Sequence, residues 1–175
     1  SVSPAGGAPP AGDPAAAPTL KATFEQLVAL GRAGDAAGAN ALVKAMIPSR
    51  EDLKQLVRPG PAADAWVAAY QGPTQETFQP DDVDLTTLAS PTRKEIFERF
   101  ATTEELVAYA EGTTAAREFS RGMQSFAKAV AAPGRRWWCV GAREPGRERG
   151  RRFRCFTALG GRWLLVLDSV HVAET

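Results

Sequence analysis

Two adjacent glycines near the C-terminus constrain this fold more than any other feature of the sequence. They stand between the runs RRFRCFTAL and RWLLVLD, both of which have the length and apolar character of strands. A Gly-Gly pair between two such runs is typical of the two-residue turn of a β-hairpin. We therefore predict that Gly160 and Gly161 close a hairpin in which Phe156 faces Leu165.

The hairpin is the last part of a longer strand pattern. Residues 135–172 read RRWWCVGAREPGRERGRRFRCFTALGGRWLLVLDSVHV and predict three consecutive strands. A looser turn of about five residues, from Pro145 to Arg149, joins the first two strands. Consecutive strands joined by short turns form an antiparallel meander.

Most of the preceding chain has the patterns of short helices. Four of these helices begin at side chains that can cap an N-terminus, namely Thr19, Asp35, Ser49 and Thr102. The caps at Ser49 and Thr102 have an acidic residue three positions later, which completes a capping box. We expect Gly112 to end the helix that Thr102 begins. Two more helices are predicted within residues 60–71 and 121–134.

The middle of the chain contains two candidate strands. Residues 81–88, DDVDLTTL, alternate in the manner of a short strand, and so do residues 95–100. The preceding Ser90-Pro91 is a helix-start signal and leaves a helix open as the alternative for the second segment. Helices first and a meander last indicate the α+β class, in which helices pack on an antiparallel sheet. We expect one such domain over residues 19–175.

Residues 1–18 differ in composition from the rest of the chain. They contain only Ala, Pro, Gly, Ser, Val and one Asp, and such a segment cannot bury enough apolar surface to offset its ordering entropy. We interpret it as a flexible tether, as found in exported periplasmic or cell-surface bacterial proteins, including those with a lipid anchor upstream. The N-terminus of a cytoplasmic protein is the alternative. The sequence contains no run of eighteen apolar residues, so we predict no transmembrane segment.

Arginines are concentrated near the second strand of the meander. Five of them lie within residues 144–156, and after residue 132 the chain carries nine arginines against four acidic residues. One interpretation is a solvent-exposed hairpin tip, whose charge discourages edge-to-edge pairing. The other is a contact with phosphate or a polyanion through the planar guanidinium groups. The net charge of +1 favours the exposed tip, and we expect no nucleic-acid partner.

Several kinds of chemistry are excluded by residue counts and spacing. The chain has one histidine and two cysteines, with no Cys-x-x-Cys spacing, so a zinc site is not expected. No phosphate loop, dinucleotide fingerprint or nucleophile elbow occurs, and no cofactor is predicted. Residues 81–84, DDVD, lack the spacing of a calcium loop and fit a solvated loop better.

The two cysteines are predicted to be neighbours. A loop centred on Arg147 pairs residues whose numbers add up to 294, and Cys139 with Cys155 satisfies that condition. Directly opposed residues on antiparallel strands have Cβ atoms about 4.5–5.5 Å apart, and a disulfide needs only a slightly closer approach. In an exported protein the pair is a candidate disulfide. The alternative is two small buried apolar residues.

Two stretches carry a family resemblance: the helical opening TFEQLVALGRAGDAAGANALV and the closing hairpin RRFRCFTALGGRWLLVLDSV. Their order resembles the nuclear transport factor 2-like (cystatin-like) superfamily, in which a Gly-Arg-Trp turn often precedes the last apolar strand. The block EFSRGMQSFAKAVAAPGRRWWCVGAREPG is similar to stretches of uncharacterised bacterial members. The resemblance implies N-terminal helices in the concave face of a strongly curved sheet, with a pocket at the open end of this cone. Members include isomerases, dehydratases and binding proteins.

The resemblance leads to two hypotheses about function. The first is a non-enzymatic exported domain that binds a small apolar ligand or a protein partner, with a homodimer left open. Candidate side chains for its pocket are Trp66, Tyr70, Trp137, Trp138 and Trp163. The alternative is a proton-transfer enzyme of the isomerase or dehydratase type, with Asp168 or His171 as the general base. Fold alone does not decide between them.

Overall fold

The computed structural model describes residues 19–70, 72–79 and 94–166. Its elements in chain order are α1 (Leu20–Arg32), α2 (Ala36–Ala45), α3 (Arg50–Gln55), α4 (Pro61–Ala69), β1 (Glu95–Thr102), α5 (Thr103–Ala108), α6 (Thr114–Glu118), α7 (Arg121–Ala129), β2 (Arg136–Arg143), β3 (Arg151–Leu159) and β4 (Arg162–Val166). The strands form one open antiparallel sheet in the order β1-β2-β3-β4. The α+β class with a C-terminal meander is therefore confirmed.

The sequence signals for helix starts are confirmed by the hydrogen bonds at the caps. Thr19 accepts a hydrogen bond from the backbone of Ala22, and Asp35 accepts one from Gly38. The boxes at Ser49 and Thr102 are complete, with the side chain and backbone of each cap both engaged. These local contacts satisfy N–H groups that have no partner within the helix, so the helices begin where the sequence predicts.

The end of α5 differs from the prediction. The helix ends at Ala108, four residues before Gly112, because Tyr109 adopts a left-handed conformation with φ 47°. The Tyr109 hydroxyl donates a hydrogen bond to the Phe119 carbonyl, which ties the end of α5 to the end of α6. A tertiary contact therefore sets this terminus, and the sequence pattern did not predict α6.

The hairpin between β3 and β4 has the predicted register. Phe156 pairs with Leu165, and the turn glycines Gly160 and Gly161 have φ values of 58° and 78°. Both positive values belong to the backbone region that suits this two-residue turn and that side chains with a Cβ rarely adopt. The outer edge of β4 is also covered, since Leu165 donates its N–H to the Met46 carbonyl at 2.7 Å.

Helices cover both faces of the sheet. On one face, here called the α3–α7 face, the sheet residues Trp137, Cys139, Leu164 and Val166 pack with apolar residues of α3 to α7. On the opposite, α1–α2 face, the sheet residues Val140, Ala142, Phe156 and Leu165 pack with α1 and α2. Alternate residues of each strand point to opposite faces, so the meander contributes to two apolar clusters.

Candidate functional site

The aromatic residues proposed for the pocket lie in two separate clusters. Trp66, Tyr70 and Trp137 belong to the cluster on the α3–α7 face. The Phe126 ring lies between the two tryptophans, 5.0 Å from Trp66 and 5.1 Å from Trp137 by ring centroids. Trp66 is 2% exposed and Trp137 is fully buried. These rings are packed against one another as core.

The other two candidates belong to the α1–α2 face. Trp138 and Trp163 meet edge to face with ring centroids 5.4 Å apart. Phe100, which is 41% exposed, lies 4.8 Å from Trp138. The sheet separates this group from Trp66 and Trp137, so the five candidates do not line a single pocket.

The candidate bases of the enzyme hypothesis, Asp168 and His171, lie outside the described residues, as does the acidic stretch 81–84. Their roles stay predictions. In the described ranges, no group of three or more His, Cys, Asp or Glu side chains is arranged to hold a metal ion.

An open pocket of about 690 Å³ lies beside the arginine-rich connection between β2 and β3. The residues that line it are Phe97, Arg117, Glu118, Glu148, Arg149, Gly150 and Arg152. They come from β1, α6, the β2–β3 connection and the start of β3. Three arginines and two glutamates therefore surround one aromatic ring.

Phe97 forms the apolar part of this pocket. It is 6% exposed, and the guanidinium carbons of Arg99 and Arg143 each lie 5.3 Å from the centroid of its ring. Arg143 also donates a hydrogen bond of 2.6 Å to Glu95, its direct partner across β1 and β2. That bond lowers the pKa of the Glu95 carboxyl below its ordinary value. Glu95 thus compensates the charge of Arg143.

The arginines at the rim are compensated to different extents. Arg152 lies 3.7 Å from Glu118, measured between its Nε and the carboxylate oxygen. Within the part of the chain that the structure describes, the guanidinium groups of Arg117 and Arg149 make no hydrogen bond or ion pair. The exposed guanidinium groups of these two arginines are therefore available to bind an anion.

Gly150 permits the chain to pass close to β2 at this pocket. A Cβ atom placed on Gly150 would lie 2.4 Å from the Ala142 carbonyl oxygen and 2.6 Å from the Cβ of Arg143. Any larger residue would force the backbone of the connection away from β2. The glycine therefore helps to fix the positions of Arg149 and Arg152 on either side of it.

The two cysteines lie in the row of the sheet next to the row that contains Phe97 and Arg152. Cys139 pairs directly with Cys155 on one side and with Arg99 on the other. The next row on the same face is Phe97–Gly141–Arg152. Burial raises the pKa of the Cys139 thiol to about 12, and the charge of Glu118 adds to that shift. Both cysteines carry thiols in the structure.

The sequence signalled only part of this pocket. The arginine density at residues 144–156 indicated Arg149 and Arg152, although we interpreted it as an exposed tip. Arg117 and Glu118 lie on α6, whose start at the cap Thr113 was not predicted. Phe97 lies on strand β1, far from the connection in sequence. The pocket is therefore produced by tertiary folding.

Chemically, the pocket can hold an anion against an aromatic surface. Guanidinium groups bind carboxylates and phosphates through two parallel hydrogen bonds. None of the helices in the described ranges is both long and apolar enough to cross a membrane. Comparisons of this chain with family models, curated proteins and solved structures found no match.

Proposed function

We propose that this domain is a binding module for a small organic anion, which it holds without catalysis in the arginine-lined pocket. The observation that carries the proposal is the pair of uncompensated guanidinium groups, Arg117 and Arg149, on an open pocket with Phe97 at its base. An anion with one carboxylate or phosphate and one planar apolar part matches this combination.

The charge balance of the pocket supports a small ligand over a polyanion. Glu118 and Glu148 stand among three arginines, which leaves the lining with one net positive charge. A protein that binds nucleic acid usually presents a continuous basic surface. A ligand with a single anionic group matches this one net positive charge, whereas a polyanion would bring several further negative charges to a lining that already contains Glu118 and Glu148.

The arginines that carry the proposal are suited to holding an anion and not to proton transfer. Arginine stays protonated in proteins and cannot act as a general base. The enzyme alternative depends on Asp168 or His171 and stays a prediction. Membership of the nuclear transport factor 2-like superfamily and export from the cytoplasm belong to the same proposal, supported by the order of elements and by the composition of residues 1–18.

Calorimetric titration tests this proposal with benzoate, phenyl phosphate and the neutral analogue benzyl alcohol. We expect saturable binding of the two anions and none of the alcohol. The variants Arg117→Gln and Arg149→Gln should each weaken anion binding about tenfold or more, because each loses a charge-assisted hydrogen bond.

The matched control is Arg147→Gln, which removes an equal charge from the same connection. Arg147 does not line the pocket and lies 3.6 Å from Glu144, so its loss should leave the affinity unchanged. Equal weakening by all three variants would show that only the general surface charge matters. Absence of anion binding to the wild type would remove the proposed function.

A further inference from the structure

We propose that Cys139 and Cys155 are a modification site at which a disulfide-bearing oxidant forms a cross-strand disulfide, and that this disulfide tightens the anion pocket. The effect on ligand affinity rests on the proposed function. The formation of the disulfide does not.

The positions of the two cysteines in the sheet carry the first step of the argument. They are direct partners across β2 and β3 and lie on the same, α3–α7 face. Opposed Cβ atoms are about 4.5–5.5 Å apart in such pairs, whereas a disulfide needs about 3.8 Å. The two strands therefore need to approach by only about 1 Å at this row.

The two thiols differ in access, which sets the order of reaction. Cys155 is half-buried, and Cys139 is 3% exposed. An oxidant from solution therefore meets Cys155 first. Cys139 is buried but pairs directly with Cys155, so it reacts in the second, intramolecular step, which is slowed because burial raises the pKa of its thiol to about 12.

The reaction consumes one small-molecule disulfide, RSSR. Cys155 loses its proton to solvent, and its thiolate attacks one sulfur of RSSR, which releases RS⁻ and leaves Cys155 in a mixed disulfide. The Cys139 thiolate then attacks the sulfur of Cys155, the bond to R breaks, and a second RS⁻ leaves. The two cysteines are oxidised by two electrons, and RSSR is reduced to two thiols once the released thiolates take up the two protons.

The link to the pocket is a register shift between the cysteine row and the pocket row. Cys139 pairs with Cys155 and Gly141 pairs with Arg152, so β3 has one more residue than β2 between the two rows. Such a bulge bends its strand and increases the local twist, so the position of Arg152 depends on how β3 lies against β2 at the cysteine row. A disulfide on one side of the bulge fixes the strands there, and we infer that it restricts the position of Arg152 on the other side.

Charges of the pocket also act on the buried thiol. Glu118 raises the pKa of Cys139, whereas Arg152 and Arg99 lower it. We therefore expect Glu118→Gln to speed closure of the disulfide and Arg152→Gln to slow it, with Arg147→Gln unchanged. The rate of closure in the wild type should rise with increasing pH, because the thiolate is the nucleophile.

The first experiment treats the full chain with oxidised glutathione, removes the reagent, and counts thiols after unfolding. We expect no thiols and a mass lower by two hydrogens, with two thiols restored by reductant. Cys139→Ser should instead stop at a glutathione adduct on Cys155. Two remaining thiols in the wild type, or a stable adduct on it, would overturn the disulfide.

The second experiment compares the oxidised and reduced chain. Benzoate should bind the oxidised form about fivefold more tightly, at the lower end of typical coupling between sites. The backbone amide of Arg152 should also exchange its hydrogen more slowly in the oxidised form. Equal exchange in both forms would overturn the link to the pocket. If benzoate binds neither form, the proposed function fails, while the exchange rate of Arg152 still decides the link.

Discussion

A single buried carboxylate joins the N-terminal helices to the end of the sheet. Asp52 completes the capping box of α3 and also accepts a hydrogen bond from Arg162 at the start of β4. Burial alone would raise the pKa of Asp52, but the hydrogen bonds from the backbone of Ser49 and from Arg162 outweigh it, so the pKa lies below its ordinary value of 3.8. The ionised form is therefore the one that stabilises the fold.

Replacement of Asp52 tests this residue directly. Asp52→Asn should lower the free energy of unfolding by about 2 kcal/mol at pH 7, because hydrogen bonds to a charged group are lost. Asp52 binds its proton less readily when folded, so its contribution is complete above its ordinary pKa and is lost as the pH falls through the lowered folded value. Urea unfolding of both proteins at pH 7 and pH 3 should therefore show a smaller difference at pH 3.

The neighbouring Glu51 provides the control for that measurement. Its side chain is 78% exposed, so Glu51→Gln should change the free energy of unfolding by less than about 0.5 kcal/mol at either pH. An Asp52→Asn difference that is the same at both pH values would show that the variant acts through packing and not through charge.

At the scale of elements, local chemistry and tertiary contacts set different boundaries. The four caps and the glycine turn need only neighbouring residues, and the structure confirms them. The end of α5 involves a contact between Tyr109 and Phe119, ten residues apart, whereas α6 begins at a local cap, Thr113, that we did not predict. Sequence patterns describe neighbours within about four residues, which is why they do not predict where α5 ends.

Two glycines in different elements should respond to alanine with opposite sign. Gly161 has φ 78° in the hairpin turn, so Gly161→Ala should cost about 1–2 kcal/mol of stability because its Cβ disfavours this conformation. Gly31 lies within α1, and a Cβ there would have no atom within 4 Å. Gly31→Ala should therefore stabilise the protein by about 0.5–1 kcal/mol.

Thermal or urea unfolding measures both changes. A neutral Gly161→Ala variant would mean that the hairpin adopts another turn, and hence another register between β3 and β4. A destabilising Gly31→Ala variant would mean that the solvent side of α1 is in contact with a further part of the chain.

At the scale of the whole molecule, the sheet is a shared layer between two sets of helices. Leu164 and Leu165 are consecutive residues of β4, and they are 0% and 3% exposed. Leu164 belongs to the cluster on the α3–α7 face and Leu165 to the cluster on the α1–α2 face. Consecutive strand residues are both buried only when both faces of a sheet are covered.

Alanine variants at these two positions test the three-layer arrangement. Leu164→Ala and Leu165→Ala should each lower the free energy of unfolding by about 2–5 kcal/mol. Both should unfold in one transition that is the same by circular dichroism and by tryptophan fluorescence. A nearly neutral effect of one variant would mean that its face of the sheet is exposed.

The residues of the candidate site come from segments that are far apart in the sequence. Trp137 and Trp138 are consecutive residues of β2 and therefore point to opposite faces of the sheet, so the strand period alone separates these two pocket candidates. The arginine density favoured an exposed hairpin tip, and the residues that complete the pocket, Phe97, Arg117 and Glu118, lie on β1 and α6. No spacing in the sequence connects those residues with the β2–β3 connection.

Short-range chemistry makes several features of this protein readable from its residues alone. Caps start the helices because a side chain reaches N–H groups two or three residues away. Gly160 and Gly161 turn the chain because the two-residue turn requires positive φ at both positions, which glycine adopts readily. The choice of which helices cover which face of the sheet, and the meeting of Arg117 with Arg149 and Phe97 at one pocket, emerge only when the whole chain is folded. Those positions follow from packing between segments that are distant in the chain, and burial of apolar surface is non-directional. The sequence therefore shows which residues are apolar, but it does not show which residues they pack against.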